Sequence, residues 1–171
     1  MSPEQTGNQS AEQVAEQALE HLQQILSVAG LDCTAKLVNV EGDVVHLEIV
    51  GPEAGLLIGR RGQTLDALQY LLLVMVSHDR SLSQRFRVLL DADGYRQRRT
   101  EALESLAQSL AARVKQTGQE AVLEPLNALE RRIVHTALMD DPEVETYSEG
   151  EEPNRHVVIT PRRDGAGGQD R

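Results

Sequence analysis

Ile58-Gly59-Arg60-Arg61-Gly62-Gln63-Thr64-Leu65 is the stretch of sequence that decides the fold. Two glycines three positions apart enclose an arginine pair, and an apolar segment with leucines at helical spacing follows directly. Glycines let a sugar-phosphate strand approach the main chain, the first amides of a helix favour anionic oxygens, and arginines add positive charge. The stretch therefore predicts a phosphate-binding loop between two helices. Ordinary turns also use glycine pairs, and solvated surfaces also carry arginine pairs, so the stretch alone leaves those alternatives open.

The segments around this loop predict the element order α-β-β-α-α-β. Ser10 with Gln13 three residues later is a capping-box signature, so a helix is expected to begin at Ser10 after a disordered start. Alternating β-branched segments predict strands. The expected elements are a helix over 10–29, strands over 33–40 and 44–50, a short helix ending at 58, a buried helix over 65–76 and a strand over 85–91.

A second group of elements follows without any repeat of the first. The expected elements are a connector helix over 95–117, a helix over 125–139 and two strands over 143–148 and 155–160. Pro125 suits a first helical turn, and Leu126, Leu129, Ile133 and Ala137 are the expected core face.

A further candidate site lies on the helix over 125–139. Arg131 and His135 are four residues apart and so share one face of that helix. This spacing arises often by chance, and a surface arginine beside a partly buried histidine is the structural alternative. The downstream run from Ser148 to Pro161, Ser-Glu-Gly-Glu-Glu-Pro-Asn-Arg-His-Val-Val-Ile-Thr-Pro, favours a functional pair because of the module it resembles.

The first group of elements resembles a KH domain of the bacterial (type II) arrangement, and the second resembles the R-three-H domain, named for its Arg-x-x-x-His signature. The resemblance implies an α+β protein in which the Gly-x-x-Gly loop clamps the backbone of single-stranded RNA. An apolar groove beside the loop, formed by Ile58, Leu65 and the second strand, would hold the bases. The implied RNA-binding residues are Ile58, Gly59, Arg60, Arg61, Gly62, Gln63, Thr64, Arg131, His135 and Arg155.

This order of two modules resembles the bacterial Jag family, also called KhpB or EloR. The resemblance implies pairing with a small single-KH-domain protein, and self-association is the other expectation. The expected domains are a disordered N-terminus over 1–9, a KH domain over 10–92, a connector helix with an R-three-H domain over 93–161, and a flexible tail over 162–171.

The net charge of −10 argues at first against a nucleic-acid partner, but the charge is unevenly distributed. Residues 1–32 hold five acids and residues 140–152 hold seven, and neither segment contains Lys or Arg. These twelve of the 27 acids leave 15 against all 17 bases, and eight of the bases cluster at 60–61, 80–87 and 96–99. RNA binding is therefore compatible with the sequence.

Other functional classes find little support. A Walker loop needs a lysine that this loop lacks, the five histidines show no metal spacing, and the single cysteine, Cys33, permits no internal disulfide. No cofactor, metal or catalytic residue is expected, and His135 as a general base for RNA cleavage is the enzymatic hypothesis left open. The start lacks signal-peptide features and no apolar run approaches 18 residues, so a cytoplasmic protein without membrane insertion is expected.

The expected function is that of a non-catalytic single-stranded RNA-binding protein, acting as a post-transcriptional regulator or RNA chaperone. The alternative is a protein-interaction adaptor in the control of cell elongation or division. In that alternative the KH fold serves for dimerisation, and the acidic segment 140–152 docks a basic partner.

Overall fold

A computed structural model describes residues 3–77 and 86–162, and the chain forms two compact units, Met1–Arg96 and Gln97–Arg171. The first unit contains α1 (Pro3–Ala29), β1 (Thr34–Glu41), β2 (Val44–Val50), α2 (Ala54–Ile58), one turn of 3-10 helix (Arg60–Gly62), α3 (Gln63–Ser77) and β3 (Arg87–Ala92). Helix α4 (Tyr95–Thr117) begins in the first unit and continues in the second, which adds β4 (Ala121–Val122), α5 (Ala128–Ala137), β5 (Val144–Glu149) and β6 (His156–Pro161). The flexible tail expected from residue 162 and the bases Arg80 and Arg85 lie, apart from Arg162, outside the described residues.

The first unit has the predicted order α-β-β-α-α-β, and its three strands form one sheet in the order β1-β2-β3. Strands β1 and β2 are antiparallel, whereas β2 and β3 are parallel. A parallel pair cannot be closed by a tight hairpin and needs a crossover connection. Helices α2 and α3 make this crossover, so the glycine loop lies between them.

Helix α1 covers the sheet but begins earlier than predicted. It starts at Pro3 instead of Ser10, so residues 3–9 are helical where a disordered segment was expected. Proline is favoured in the first turn because its fixed φ suits the helix and its missing N–H is not needed there. The buried residues of α1 pack in one core with residues of β2, α3 and β3. They are Ala11, Val14, Ala15, Ala18, Leu22 and Leu26.

One position on the outer edge of β3 is occupied by side chains of the same unit. The backbone N–H of Leu90 donates to Gln69 Oε1 at 3.0 Å, and the Leu90 carbonyl accepts from Arg96 Nε at 2.8 Å. An exposed edge offers such groups to another chain. At Leu90 these groups already have partners.

The second unit has an antiparallel sheet in the order β4-β6-β5. Its core combines residues of α4, α5 and the sheet: Leu103, Ala107, Ala111, Val114, Val134, Leu138, Val144, Val157 and Ile159 are among its members. The KH-like order followed by this smaller α/β unit confirms the predicted α+β fold class.

Helix α5 differs from its prediction in its start and at one position of its core face, since Leu126, Ile133 and Ala137 do contribute to the core. It begins at Ala128, because Asn127 caps it: Asn127 Oδ1 accepts from the backbone N–H of Glu130, and Glu130 Oε2 accepts from that of Asn127. Leu129, a predicted core residue, is 60% exposed, whereas Glu130 and Arg131 are buried. Both side chains can be buried because each forms an ion pair, Glu130 with Arg99 and Arg131 with Glu152.

Within the two described ranges, no helix combines the length and apolar character needed to cross a bilayer. The same residues contain no group of three or more His, Cys, Asp or Glu side chains able to hold a metal ion.

Leu22→Ala tests the packing of α1 on the sheet. Leu22 is fully buried in the core of the first unit, so its truncation should lower the free energy of unfolding by about 2–5 kcal/mol. Val28→Ala on the same helix is the control, because Val28 is 90% exposed and its truncation should change stability by no more than about 0.5 kcal/mol. Urea denaturation followed by circular dichroism measures both, and equal losses would contradict this packing.

Candidate nucleic-acid interface

The glycine loop is a tight reversal between α2 and α3. Three of its four residues have φ in the left-handed region: Gly59 at 67°, Arg61 at 54° and Gly62 at 81°. The loop closes at once into α3, because the backbone N–H of Gln63 donates to the Arg60 carbonyl. Its conformation is therefore fixed by local backbone geometry, as the two glycines predicted.

The chain's own packing explains both glycines. A Cβ at Gly59 would collide with the Thr64 hydroxyl, and a Cβ at Gly62 would lie 2.9 Å from Cε1 of Tyr95. Gly62 is buried, while Gly59 is exposed. The main chain is therefore open to a ligand in the first half of the loop, and not along the whole stretch 59–62.

The side chains around the loop divide into exposed and inward-facing ones. Arg60, Gln63 and Thr64 are exposed, and no hydrogen bond or ion pair joins the Arg60 side chain to another residue of the described ranges. Arg61 is half-buried and has a contact within the chain. Arg60 is therefore the cation that the loop presents to solvent.

The apolar residues beside the loop differ from the predicted groove. Leu65 is fully buried in the core of the first unit and cannot line a groove. Ile58 is half-buried against that core, and Leu56, two residues earlier on α2, is 65% exposed. The accessible apolar surface next to the loop therefore belongs to α2.

Two arginines of the predicted basic cluster at 96–99 form ion pairs that serve the fold. Arg96 Nη2 lies 2.9 Å from Asp66 Oδ1 in the first turn of α3, and Arg99 Nε lies 2.8 Å from Glu130 Oε1. In the second unit Lys115 Nζ lies 2.6 Å from Asp141 Oδ2. The pair at Asp66 compensates an acid that would otherwise repel phosphate from the N-terminus of α3.

Arg131 is a buried side chain with internal partners. Its Nη1 donates to the Leu126 carbonyl at 2.7 Å and lies 2.8 Å from Glu152 Oε1. The Arg131 side chain is 10% exposed, whereas that of Glu152 is 59% exposed. The guanidinium is thus held in place by a main-chain carbonyl on the inside and by an exposed carboxylate on the outside.

His135, one turn along α5, joins the helix to β5. Its Nδ1 lies 2.7 Å from Thr146 Oγ1 and its Nε2 lies 2.9 Å from Ser148 Oγ. Burial, and secondarily the nearby charge of Arg131, lower the pKa of His135 from its ordinary value of 6.5. A neutral imidazole suits these contacts, because one ring nitrogen donates to a hydroxyl and the other accepts from one.

Arg155 lies close to Arg131 in the hydrogen-bond network. Its side chain is exposed, and its carbonyl accepts from the backbone N–H of Leu126 at 3.0 Å. Leu126 therefore connects the two arginines, since its carbonyl accepts from Arg131. Of the three residues predicted here, Arg155 is the one with an exposed cationic group.

Two acids of this site were missed by the sequence analysis. Glu130 is buried and binds both Arg99 and the backbone of Asn127; the Asn-x-x-Glu spacing is a capping-box signal that could have found it. Glu152 carried no such local signal, because its partner is 21 residues away in the chain.

Comparisons with known proteins match both units. The family described as "KhpA/KhpB, KH domain" matches residues 14–89, and the R-three-H domain family matches residues 101–161. Three proteins named "RNA-binding protein KhpB" are similar to this chain. The one from Clostridium symbiosum is 43% identical over 90% of this chain and 68% of its own length. The one from Bacillus subtilis strain 168 is 42% identical over 70% of this chain and 57% of its own length, and the one from Streptococcus pneumoniae D39 is 36% identical over 89% of this chain and 45% of its own length. The chain spans about half the length of the last two.

The pKa of His135 predicts a pH dependence of stability. The unfolded chain takes up a proton near pH 6.5 and the folded chain only at lower pH, so the folded state should lose stability as pH falls below about 6.5. His135→Gln should make the stability profile between pH 7 and 5 flatter than that of the wild type. Denaturation at each pH measures this, and an NMR titration placing the His135 pKa at or above 6.5 would contradict it.

Proposed function

The chain belongs to the KhpB (Jag) family, and on that basis we propose that it binds single-stranded RNA without catalysing a reaction on it. The similar proteins carry the name of RNA-binding proteins. The observation that supports the proposal most is the ordered glycine loop at the start of α3, with Gly59 and Arg60 exposed.

The first unit supplies the backbone contact in this proposal. A phosphate oxygen beside Gly59 meets open main chain, the first amides of α3 and the Arg60 guanidinium. Gln63 and Thr64, both exposed in the first turn of α3, add polar groups. The bases then lie beside α2, against Ile58, the half-buried apolar residue that directly precedes the loop.

The second unit supplies a separate, weaker contact through Arg155 and Arg131. Arg155 is exposed, and Arg131 is anchored behind it by the Leu126 carbonyl. His135 acts in this proposal by fixing α5 to β5, which positions Arg131. Two weak sites on one chain bind a strand more tightly than either alone, since the second binding event becomes intramolecular.

The contacts of His135 support a non-catalytic role. A general base for RNA cleavage needs a ring nitrogen within hydrogen-bond reach of the attacking hydroxyl. Both ring nitrogens of His135 already lie within 2.9 Å of hydroxyl groups of β5. A cytoplasmic protein that regulates transcripts or acts as an RNA chaperone is the cellular role that fits this binding activity.

An apolar stripe on α3 favours a second candidate function, association through the KH unit. Tyr70, Leu71 and Val74 are 69%, 45% and 44% exposed, and their spacing puts them on one helix face. Exposed apolar patches of this kind mark protein interfaces. The partner is a small single-KH-domain protein or a second copy of this chain, as in an adaptor that controls elongation or division.

Arg60→Asp tests the RNA site. Charge reversal at an exposed phosphate contact should weaken binding of a fluorescent single-stranded RNA by about tenfold or more and reduce the slope of log affinity against log salt by about 0.7. Lys36→Asp, the same charge change at an exposed position of β1, is the control. Equal affinities of Arg60→Asp and Lys36→Asp would remove the loop from the site.

Val74→Asp tests association through α3. A carboxylate in the apolar stripe should dissociate a self-dimer or a dimer with a single-KH protein, because burying an unpaired charge is costly. Sedimentation velocity over a concentration series measures this, with Val28→Asp on the exposed face of α1 as the control. A wild-type chain that stays monomeric, alone and with the single-KH protein, would refute the association.

A further inference from the structure

We propose that Glu152 competes with RNA phosphate for the guanidinium of Arg131 and thereby sets the RNA affinity of the second unit. The inference rests on the proposed RNA-binding function. Glu152 Oε1 lies 2.8 Å from Arg131 Nη1. A carboxylate oxygen and a phosphodiester oxygen carry the same kind of charge and accept from the same guanidinium donors. Glu152 therefore occupies the place that a phosphate would take.

The two partners of this ion pair are held very differently. Arg131 is anchored, because Nη1 also donates to the Leu126 carbonyl at 2.7 Å and nine-tenths of the side chain is covered. Glu152 is in the exposed loop between β5 and β6, and its side chain is 59% exposed. When an anion arrives, the carboxylate can turn to solvent while the guanidinium keeps its position.

The exchange costs little free energy. An ion pair with one exposed partner is weak, because water solvates the released carboxylate. Without an anion, desolvation would strongly destabilise the buried Arg131 guanidinium, but the phosphate replaces the carboxylate at the same donor. Glu152 thus keeps the buried cation compensated in the free protein and lowers its affinity for RNA.

This competition predicts an unusual salt dependence. A phosphate contact ordinarily steepens the fall of log affinity with log salt by about 0.7 for single strands. At Arg131 of the wild type one anion replaces another, so the contact should add less than that. Removal of the Glu152 charge should restore the full contribution.

Glu152→Gln tests the proposal, and Glu151→Gln is the matched control. Both variants remove one negative charge from the same loop, but the Glu151 side chain is exposed and is not the partner of Arg131. In fluorescence anisotropy with a 20-nucleotide oligouridylate, Glu152→Gln should bind about threefold more tightly than Glu151→Gln, the size expected when a weak ion pair stops competing. Its salt slope should also be steeper by about 0.7. Equal affinities and slopes for the two variants would overturn the proposal.

A second comparison separates this inference from the proposed function. In an Arg131→Gln background the additional gain from Glu152→Gln should vanish, because the two side chains act on one contact. A gain that persists there would overturn the competition, and if Arg131→Gln does not fold, the comparison with Glu151→Gln decides alone. Binding that is lost in Arg60→Asp but equal in Glu152→Gln and Glu151→Gln would refute only the competition. A wild-type chain that binds no oligouridylate would refute both.

Discussion

Strands β2 and β3 lie side by side and run in the same direction, so the chain has to cross over the sheet between them. Helices α2 and α3 make that crossing, and the reversal between them is the glycine loop. The loop is rigid because its flanking helices pack into the core through Leu57 and Leu65. The position of the candidate RNA site thus follows from strand pairing, and the buried Leu65 contributes to the site by anchoring α3.

In the second unit, hydrogen bonds and ion pairs add to apolar packing in holding α5 in place. Glu130 connects α5 to Arg99 of α4, and His135 connects it to two hydroxyls of β5. A buried carboxylate or guanidinium needs such partners, because desolvation without them is costly. The Arg-x-x-x-His signature is therefore part of the structural framework. In the proposed RNA site, Arg131 binds only if the exposed carboxylate of Glu152 is displaced.

Intramolecular pairing also decides how an anionic chain can bind an anionic polymer. Arg96, Arg99 and Lys115 are each paired with an acid of their own unit, so sequence clusters overstate the positive charge available for RNA. Arg60 stays exposed at the loop, so its charge is available to a ligand there. The net charge of −10 then lowers nonspecific attraction while local contacts remain possible.

The sequence by itself determined the element order, the glycine loop and the presence of two modules, because those signals lie within a few neighbouring residues. It did not determine the burial of Glu130 and Arg131 on α5, the burial of Leu65 away from the predicted groove or the partner of Arg131. Glu130 meets a residue 31 positions away and Glu152 one 21 positions away. Hydrophobic spacing records which residues share a helix face, but only the packed structure decides which buried charges meet.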